Sequence, residues 1–170
     1  MRLVPDRIFS KINEITPEIL EKEGIKALVL DIDNTLAPRY VELPDEALIN
    51  WIASLKKVNI KLYIISNNRQ NRVSKFSKAL GLPFYCNGMK PFPRAFLRAV
   101  REMGVPRENV AAVGDQIYTD VAGAHLAGIK AWLVTPIDPR ENIIFKIRRM
   151  LERPVINRYY KNLKKDGGTN

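Results

Sequence analysis

Two aspartates, one residue apart, are the side chains of this chain best suited to chemistry. Asp31 and Asp33 follow Ala27–Leu30, an apolar stretch typical of a strand buried on both faces of a parallel sheet. Two carboxylates in one pocket repel each other unless a cation lies between them or one of them holds a proton. The alternative is a turn or a helix N-cap, for which Asp and Asn are also suited.

Polar residues follow three further predicted strands in the same way. Ser66 ends the second strand, Lys90 follows the third, and Asp115 and Asp120 follow the fourth. Because the carboxyl ends of strands line the ligand crevice of open α/β sheets, these side chains are expected to converge. Taken singly, Ser66 could be a helix cap, Lys90 a solvated lysine and Asp115 part of a turn.

This set of side chains suits phosphoryl transfer. Carboxylates such as Asp31 and Asp115 are hard oxygen ligands, which Mg²⁺ prefers together with water and phosphate oxygens. The Ser66 hydroxyl and the Lys90 ammonium can donate to the phosphoryl oxygens, which carry charge during transfer. One carboxylate can act as the nucleophile, and its neighbour as general acid and then base.

The elements that must position these residues alternate between strands and helices. Five short strands are predicted, at 27–32, 61–66, 84–86, 110–113 and 130–134. Helices are predicted at 17–23, 44–57, 71–80, 93–103 and 119–127. This alternation predicts an α/β fold with a mainly parallel sheet that is covered by helices on both faces.

The composition indicates a globular protein of one domain. With 170 residues, 46% hydrophobic and 27% charged, the chain can form one core. No apolar run approaches the length of a membrane-spanning helix, and no apolar segment of a secretory signal follows the N-terminus. A single cysteine, Cys86, cannot form an internal disulfide, so a cytoplasmic location is expected.

Most of the net charge of +10 lies near the C-terminus. Residues 140–165 carry nine Lys or Arg residues and two Glu, which gives +7. A helix predicted from 141 to about 153, ended by Pro154, has apolar residues on one side: Ile143, Ile144, Ile147, Met150 and Leu151. Its basic residues are Lys146, Arg148, Arg149 and Arg153. The apolar side could pack on the domain, or the helix could bind an anionic membrane surface. No nucleic-acid-binding motif accompanies the charge, which argues against a nucleic-acid partner.

Four motifs resemble those of the haloacid dehalogenase (HAD) superfamily of phosphatases. They span residues 27–135 and are Asp31-x-Asp33-x-Thr35, Ser66, Lys90-Pro91 and Gly114-Asp115-x-x-x-x-Asp120. The resemblance implies a three-layer, Rossmann-like fold and a Mg²⁺-dependent phosphatase that forms an aspartyl-phosphate. The intervals between the motifs leave no room for an inserted cap domain, and an open site suits a large substrate.

The resemblance also implies the metal ligands. Asp31 would be both the nucleophile and a ligand. Asp33 would be the general acid and base and would lend its backbone carbonyl to the metal. Asp115 would bind the metal directly, with Asp120 behind it.

The remaining site residues would bind substrate or support the loops. By the same resemblance, Ser66 and Lys90 would hold the phosphoryl oxygens, and Thr35 would support the loop after the first strand. From their positions near strand ends, further side chains are expected to contact the substrate: Arg39, Asn67 and Arg69, with Tyr40 and Arg94 nearby.

Within the superfamily, the chain most resembles the YqeG-type bacterial phosphatases, which are similar to mitochondrial phosphatidylglycerophosphate phosphatases. This implies hydrolysis of phosphatidylglycerophosphate by a cytoplasmic protein bound peripherally to the inner face of the membrane. Two alternatives stay open: a soluble HAD phosphatase for a small phosphoester or a phosphoprotein, and a basic RNA- or ribosome-binding protein that keeps the fold. The expected organisation is a domain at 1–140 with its core at 25–136, a helical extension at 141–163 and a disordered tail at 164–170.

Overall fold

Six parallel strands form one sheet, which is one strand more than the sequence predicts. The computed structural model describes residues 2–138 and 143–166, and the strand order is β1-β6-β5-β2-β3-β4. The strands are β1 (Arg7–Phe9), β2 (Ala27–Leu30), β3 (Lys61–Ile65), β4 (Phe84–Tyr85), β5 (Val110–Gly114) and β6 (Lys130–Val134).

Strand β1 accounts for the difference in strand number. It has only three residues, too few for an alternating pattern to be recognised in the sequence. Its position depends on pairing with β6, where Phe9 lies opposite Val134. Asp6, just before the strand, reinforces the pairing, because its carboxylate accepts a hydrogen bond from the backbone N–H of Ala131 at 2.7 Å.

Helices cover both faces of the sheet and give the expected three layers. They are α1 (Pro17–Lys22), α2 (Glu46–Lys57), α3 (Gln70–Leu80), α4 (Arg94–Met103), α5 (Ala122–Leu126) and α6 (Ile143–Asp166). Leu28 and Leu30 of β2 face the core formed with α2 and α3. Ala27 and Val29 face the opposite core, formed with α4 and α5. The helix predicted at 119–127 is shorter, because residues 117–121 form a π-helical turn before α5.

The intervals between the central strands each contain a single α-helix within the described residues. Helix α2 lies between β2 and β3, α3 between β3 and β4, and α4 between β4 and β5. The part of the chain that the structure describes therefore has no inserted cap. No helix in that part combines the length and the apolar character needed to cross a bilayer.

Helix α6 continues past Pro154, so the prediction that it ends there is wrong. A proline lacks the N–H that a helix interior uses, and its ring crowds the preceding turn. Contacts with the domain hold the helix on both sides of the proline. The Tyr118 hydroxyl donates to the Leu151 carbonyl at 2.9 Å, and Val155 and Ile156 pack against the core. The first residues of the predicted disordered tail, 164–166, are the end of this helix.

The apolar side of α6 does not pack on the domain in the described part of the helix. Ile147, Met150 and Leu151 are exposed, whereas Glu152 is buried against the domain. Between Ile147 and Leu151 the outward face of the helix is therefore apolar, whereas Val155 and Ile156, beyond Pro154, pack on the domain. Residues 1, 139–142 and 167–170 lie outside the described part of the chain, as do the side chains at 143–146, 148, 165 and 166.

Candidate active site

The carboxyl ends of four neighbouring strands meet at one cavity of about 440 Å³. Leu30 of β2 lies between Ile64 of β3 and Val113 of β5, so the residues that follow these strands come together. The cavity is lined by Asp31, Asp33, Arg39, Ser66, Asn67, Asn68, Lys90, Gln116 and Thr119. The convergence predicted from the sequence is therefore present.

Lys90 joins two buried carboxylates at the centre of the site. Its ammonium lies 2.6 Å from Oδ1 of Asp31 and 2.5 Å from Oδ1 of Asp120. Thr35 Oγ1 lies 3.3 Å from the other oxygen of Asp31. Both oxygens of Asp31 are thus held in place.

Gly114 allows Asp120 to reach this position. A Cβ atom at Gly114 would lie 2.2 Å from Cγ of Asp120, far inside van der Waals contact. The second carboxylate oxygen of Asp120 accepts from the backbone N–H of Gln116 at 3.2 Å and from Thr119 Oγ1 at 3.3 Å. The glycine of the Gly114-Asp115 motif is therefore required for the close approach of Asp120.

Three buried carboxylates form a set that fits a divalent cation. One oxygen each of Asp31, Asp115 and Asp120 lies within 4.8 Å of the others. Oδ1 of Asp115 is buried and has no hydrogen-bond partner among the described residues. Carboxylate oxygens with this spacing suit Mg²⁺, and the cation would satisfy the atom that otherwise lacks a partner. The fourth predicted ligand, Asp33, has its carboxylate outside this cluster.

The proton affinities of these groups follow from burial and mutual repulsion. Burial, assisted by Asp120 and Asp115, outweighs Lys90 and raises the pKa of Asp31 to about 8. Burial and Asp120 raise the pKa of Asp115 to about 7, against the opposing charge of Arg149. Burial lowers the pKa of Lys90, but Asp120 and Asp31 more than offset this and keep the lysine charged. The carboxylate cluster therefore retains a proton near neutral pH unless a cation replaces it.

The carboxylate of Asp33 is bound by residues of the β3–α3 segment. Arg72 donates through Nε and Nη2 to Oδ1, and Asn68 donates through Nδ2 to Oδ2 at 3.2 Å. Arg72 also donates to the carbonyls of Pro38 and Val41, in the loop after β2. Arg72 thus links the carboxylate of Asp33 to the loop at 38–41.

Asn67 contacts the main chain of Lys90 on both sides. Its Oδ1 accepts from the Lys90 N–H at 2.8 Å, and its Nδ2 donates to the Lys90 carbonyl at 3.3 Å. Ser66 is buried, and its Oγ accepts from the backbone N–H of Asn68 at 3.1 Å. Ser66 and Lys90 therefore line the same cavity, and Asn67 fixes the loop that carries the lysine.

The predicted substrate contacts fall in different places. Arg39 lines the cavity with Asp31 and Asp33. Arg69 precedes α3 with an exposed side chain, outside the set that lines the cavity. Arg94 lines a neighbouring cavity of about 390 Å³ that also contains Met89 and Phe92.

Sequence reasoning missed three residues of the site: Arg72, Arg149 and Glu152. Arg149 donates to both the backbone carbonyl and Oδ2 of Asp115, and it also contacts Glu152. These residues belong to helices, and no motif marks them. The one signal in the sequence is that Arg149 and Glu152 have opposite charges and are three positions apart, a spacing that allows an ion pair on a helix.

Comparisons with known proteins agree with this geometry. Residues 39–128 match the family model of the haloacid dehalogenase-like hydrolases. The chain is 37% identical over 154 residues to a Bacillus subtilis protein named probable phosphatase YqeG, covering 91% of this chain and 90% of that protein.

Solved structures share the fold. The cobalt-bound deoxy-D-mannose-octulosonate 8-phosphate phosphatase of Haemophilus influenzae superposes with a TM-score of 0.55 at 19% identity, over 66% of this chain and 69% of the other. CbbY of Rhodobacter sphaeroides in complex with phosphate superposes with a TM-score of 0.54 at 17% identity, over 69% of this chain and 90% of the other. At these identities the likeness concerns the fold alone.

Proposed function

This chain belongs to the haloacid dehalogenase-like hydrolases and is a phosphatase, and on that basis we propose that it hydrolyses phosphatidylglycerophosphate at an anionic membrane surface. The proposal has two parts. The first is a reaction through an aspartyl-phosphate on Asp31, and the second is the lipid substrate.

The reaction is assigned to residues that line the cavity. An oxygen of Asp31 attacks phosphorus, the bond from phosphorus to the lipid oxygen breaks, and Asp33 gives that oxygen a proton. Asp33 then takes a proton from a water molecule that attacks the phosphoryl group, and Asp31 leaves as a carboxylate. Ser66 and Lys90 donate to the phosphoryl oxygens.

Residues on three segments would hold the cation. They are Asp31, Asp115 and Asp120, with the backbone carbonyl of Asp33. When bound, Mg²⁺ supplies positive charge to the oxygens of the transferring group. The buried Oδ1 of Asp115, which lacks a partner among the described residues, supports this assignment.

The observation that carries the lipid substrate is a set of exposed apolar side chains that lie next in sequence to residues of the site. Tyr40, Met89 and Met150 are 67%, 68% and 58% exposed. Each is adjacent in sequence to a residue of the site, namely Arg39, Lys90 and Arg149. Exposed apolar side chains suit contact with acyl chains, and the net charge of +10 suits an anionic surface. We accordingly place the protein in the cytoplasm, at the inner face of the membrane.

The test is Mg²⁺-dependent phosphate release from phosphatidylglycerophosphate in anionic vesicles. We expect release by the wild type and none by D31N. The double variant M89S/M150S should lose activity on vesicles while it keeps activity on p-nitrophenyl phosphate, because only vesicles need the apolar contact. If soluble phosphoesters are hydrolysed and the lipid is not, the lipid substrate is wrong and the phosphatase activity stands.

A further inference from the structure

Helix α6 reaches the candidate metal site through Arg149, a residue that the reaction above does not use. The guanidinium donates to Oδ2 of Asp115 and to its backbone carbonyl. We propose that Arg149 and Glu152 are positioning residues that hold Asp115 for the metal, so that the C-terminal helix is a working part of the active site. This inference rests on the metal site proposed above and is independent of the lipid substrate.

Glu152 fixes Arg149 and the loop after Asp115 together. It is 1% exposed, its Oε2 accepts from Arg149 at 2.8 Å, and its Oε1 accepts from the backbone N–H of Ile117 at 2.8 Å. Tyr118 adds the bond from its hydroxyl to the Leu151 carbonyl. One turn of α6, at 149–152, is therefore joined to residues 115–118 through both side chains and main chain.

The two oxygens of Asp115 are in different surroundings. Oδ2 is bound by Arg149, whereas Oδ1 is buried without a partner among the described residues. One oxygen of Asp115 belongs to the cluster with Asp31 and Asp120. An arginine that binds one oxygen and the carbonyl of the same residue fixes both the side chain and the main chain. Oδ1 thereby stays available as a metal ligand while the carboxylate is held in place. Hydrogen-bonded neighbours commonly orient metal ligands in this way.

Packing alone does not explain this arrangement. Burying Arg149 and Glu152 carries a desolvation penalty that apolar residues at the same contact would avoid. The apolar side chains nearest to Arg149, namely Ile147, Met150 and Leu151, are exposed, and apolar packing on the core begins only at Val155 and Ile156. The charged residues are thus the ones directed at the site.

A competing explanation gives the opposite result. If Arg149 took the place of the metal at Asp115, removing its charge would tighten Mg²⁺ binding. If it positions Asp115, removing it loosens the ligand and weakens binding. The sign of the change in Mg²⁺ affinity separates the two.

The experiment is calorimetric titration of Mg²⁺ into the full-length protein without substrate, for wild type, R149Q, R149K, E152Q and R153Q. Loss of a neighbour that orients a metal ligand weakens metal binding by about 10-fold. We expect a decrease of that size for R149Q and a smaller one for E152Q. R149K, which keeps the charge but not the planar fork, should also bind Mg²⁺ more weakly than wild type.

Matched measurements complete the test. R153Q alters an exposed arginine on the same helix and should bind Mg²⁺ as the wild type does. In phosphatase assays, R149Q should need more Mg²⁺ for half-maximal rate and recover most of kcat at saturation. Circular dichroism establishes that each variant is folded. If R149Q does not fold, the isosteric variant E152Q provides the test. Unchanged or tighter Mg²⁺ binding in folded R149Q or E152Q would overturn the proposal.

Discussion

Asp33 and Arg72 form an ion pair at the edge of the active-site cavity. Nε and Nη2 of Arg72 lie 3.1 and 2.8 Å from the same carboxylate oxygen of Asp33. The other oxygen accepts from Asn68, and the guanidinium also binds the carbonyls of Pro38 and Val41. Arg72 therefore connects the carboxylate of the proposed general acid, Asp33, to the main chain at 38–41, and the orientation of this carboxylate depends largely on that arginine.

Replacing Arg72 should impair the step in which the leaving group takes a proton. In R72M, Asp33 loses two of its hydrogen bonds, and the loop at 38–41 loses its anchor. General acid catalysis contributes about 100-fold or more when the leaving group is a poor one. We therefore expect kcat/KM to fall by at least about 10-fold for an alkyl phosphate and by less for p-nitrophenyl phosphate.

The comparison of the two substrates distinguishes a catalytic from a structural effect. D33N should show the same dependence on the leaving group as R72M. K75M provides a control one turn further along α3, where an exposed lysine pairs with Glu42 outside the cavity. Equal losses on both substrates in R72M would contradict a link between Arg72 and proton transfer.

Mg²⁺ should stabilise the protein more as the pH rises. Burial raises the pKa of Asp31 to about 8 and that of Asp115 to about 7, both above the usual value for an aspartate. Between the ordinary pKa and these values the folded chain binds more protons than the unfolded chain. The metal-free protein therefore loses stability as the pH rises through this window.

The measurement is thermal unfolding with Mg²⁺ or with a chelator across this range. Mg²⁺ needs ionised ligands, so the Tm increase that it causes should be larger at about pH 8 than at about pH 6. D31N removes one of the two groups and should flatten the pH dependence of the metal-free protein. An Mg²⁺ effect that is constant across this range would contradict the assignment of these carboxylates as ligands.

Gly114 should not tolerate a side chain. The Cβ of alanine would lie 2.2 Å from Cγ of Asp120, so this buried carboxylate would have to move away from Lys90. We expect G114A to lose about 2 kcal/mol of stability, as overpacked cores do, and to lose most of its activity. Urea unfolding and phosphate release measure the two effects.

Gly104 provides a control for the substitution of Gly114. It ends α4 at φ +61°, and a Cβ there would meet nothing within 4 Å. G104A should therefore cost about 1–2 kcal/mol through backbone strain alone and leave kcat unchanged. If G114A retained full activity, the close approach of Asp120 to Gly114 would have no catalytic importance.

The sequence predicted the parts of the site that depend on local pattern. Apolar strands followed by polar residues located Asp31, Ser66, Lys90 and Asp115, because strand ends in a parallel sheet must meet. The role of Arg72 could not be predicted, because the tertiary fold alone brings this helical residue to its partner, Asp33.

Helix α6 shows the same limit. The spacing of its apolar residues correctly placed Ile147, Met150 and Leu151 on one side. Which side faces the domain depended on two polar residues, Arg149 and Glu152, which bind groups of the β5–α5 loop. Pattern alone favours burial of the apolar side, and specific polar contacts decided otherwise.

Asn67, predicted as a substrate contact, should act through Lys90. Its amide accepts from the Lys90 N–H and donates to the Lys90 carbonyl, so it fixes the loop that presents the ammonium to Asp31. N67A leaves both main-chain groups without this partner and loosens the lysine. We expect about 10-fold weaker inhibition by inorganic phosphate and a similar fall in kcat, because a small displacement of a catalytic group lowers the rate strongly.

Two variants test whether the contact with the main chain is what matters. N67D keeps the acceptor but replaces the donor by an oxygen facing the Lys90 carbonyl, so it should be impaired as well. N71A changes an exposed asparagine in the first turn of α3 and should behave as the wild type. If N67A changed only KM for the substrate, with inhibition by phosphate and kcat intact, Asn67 would be a direct substrate contact and its role in placing Lys90 would be excluded.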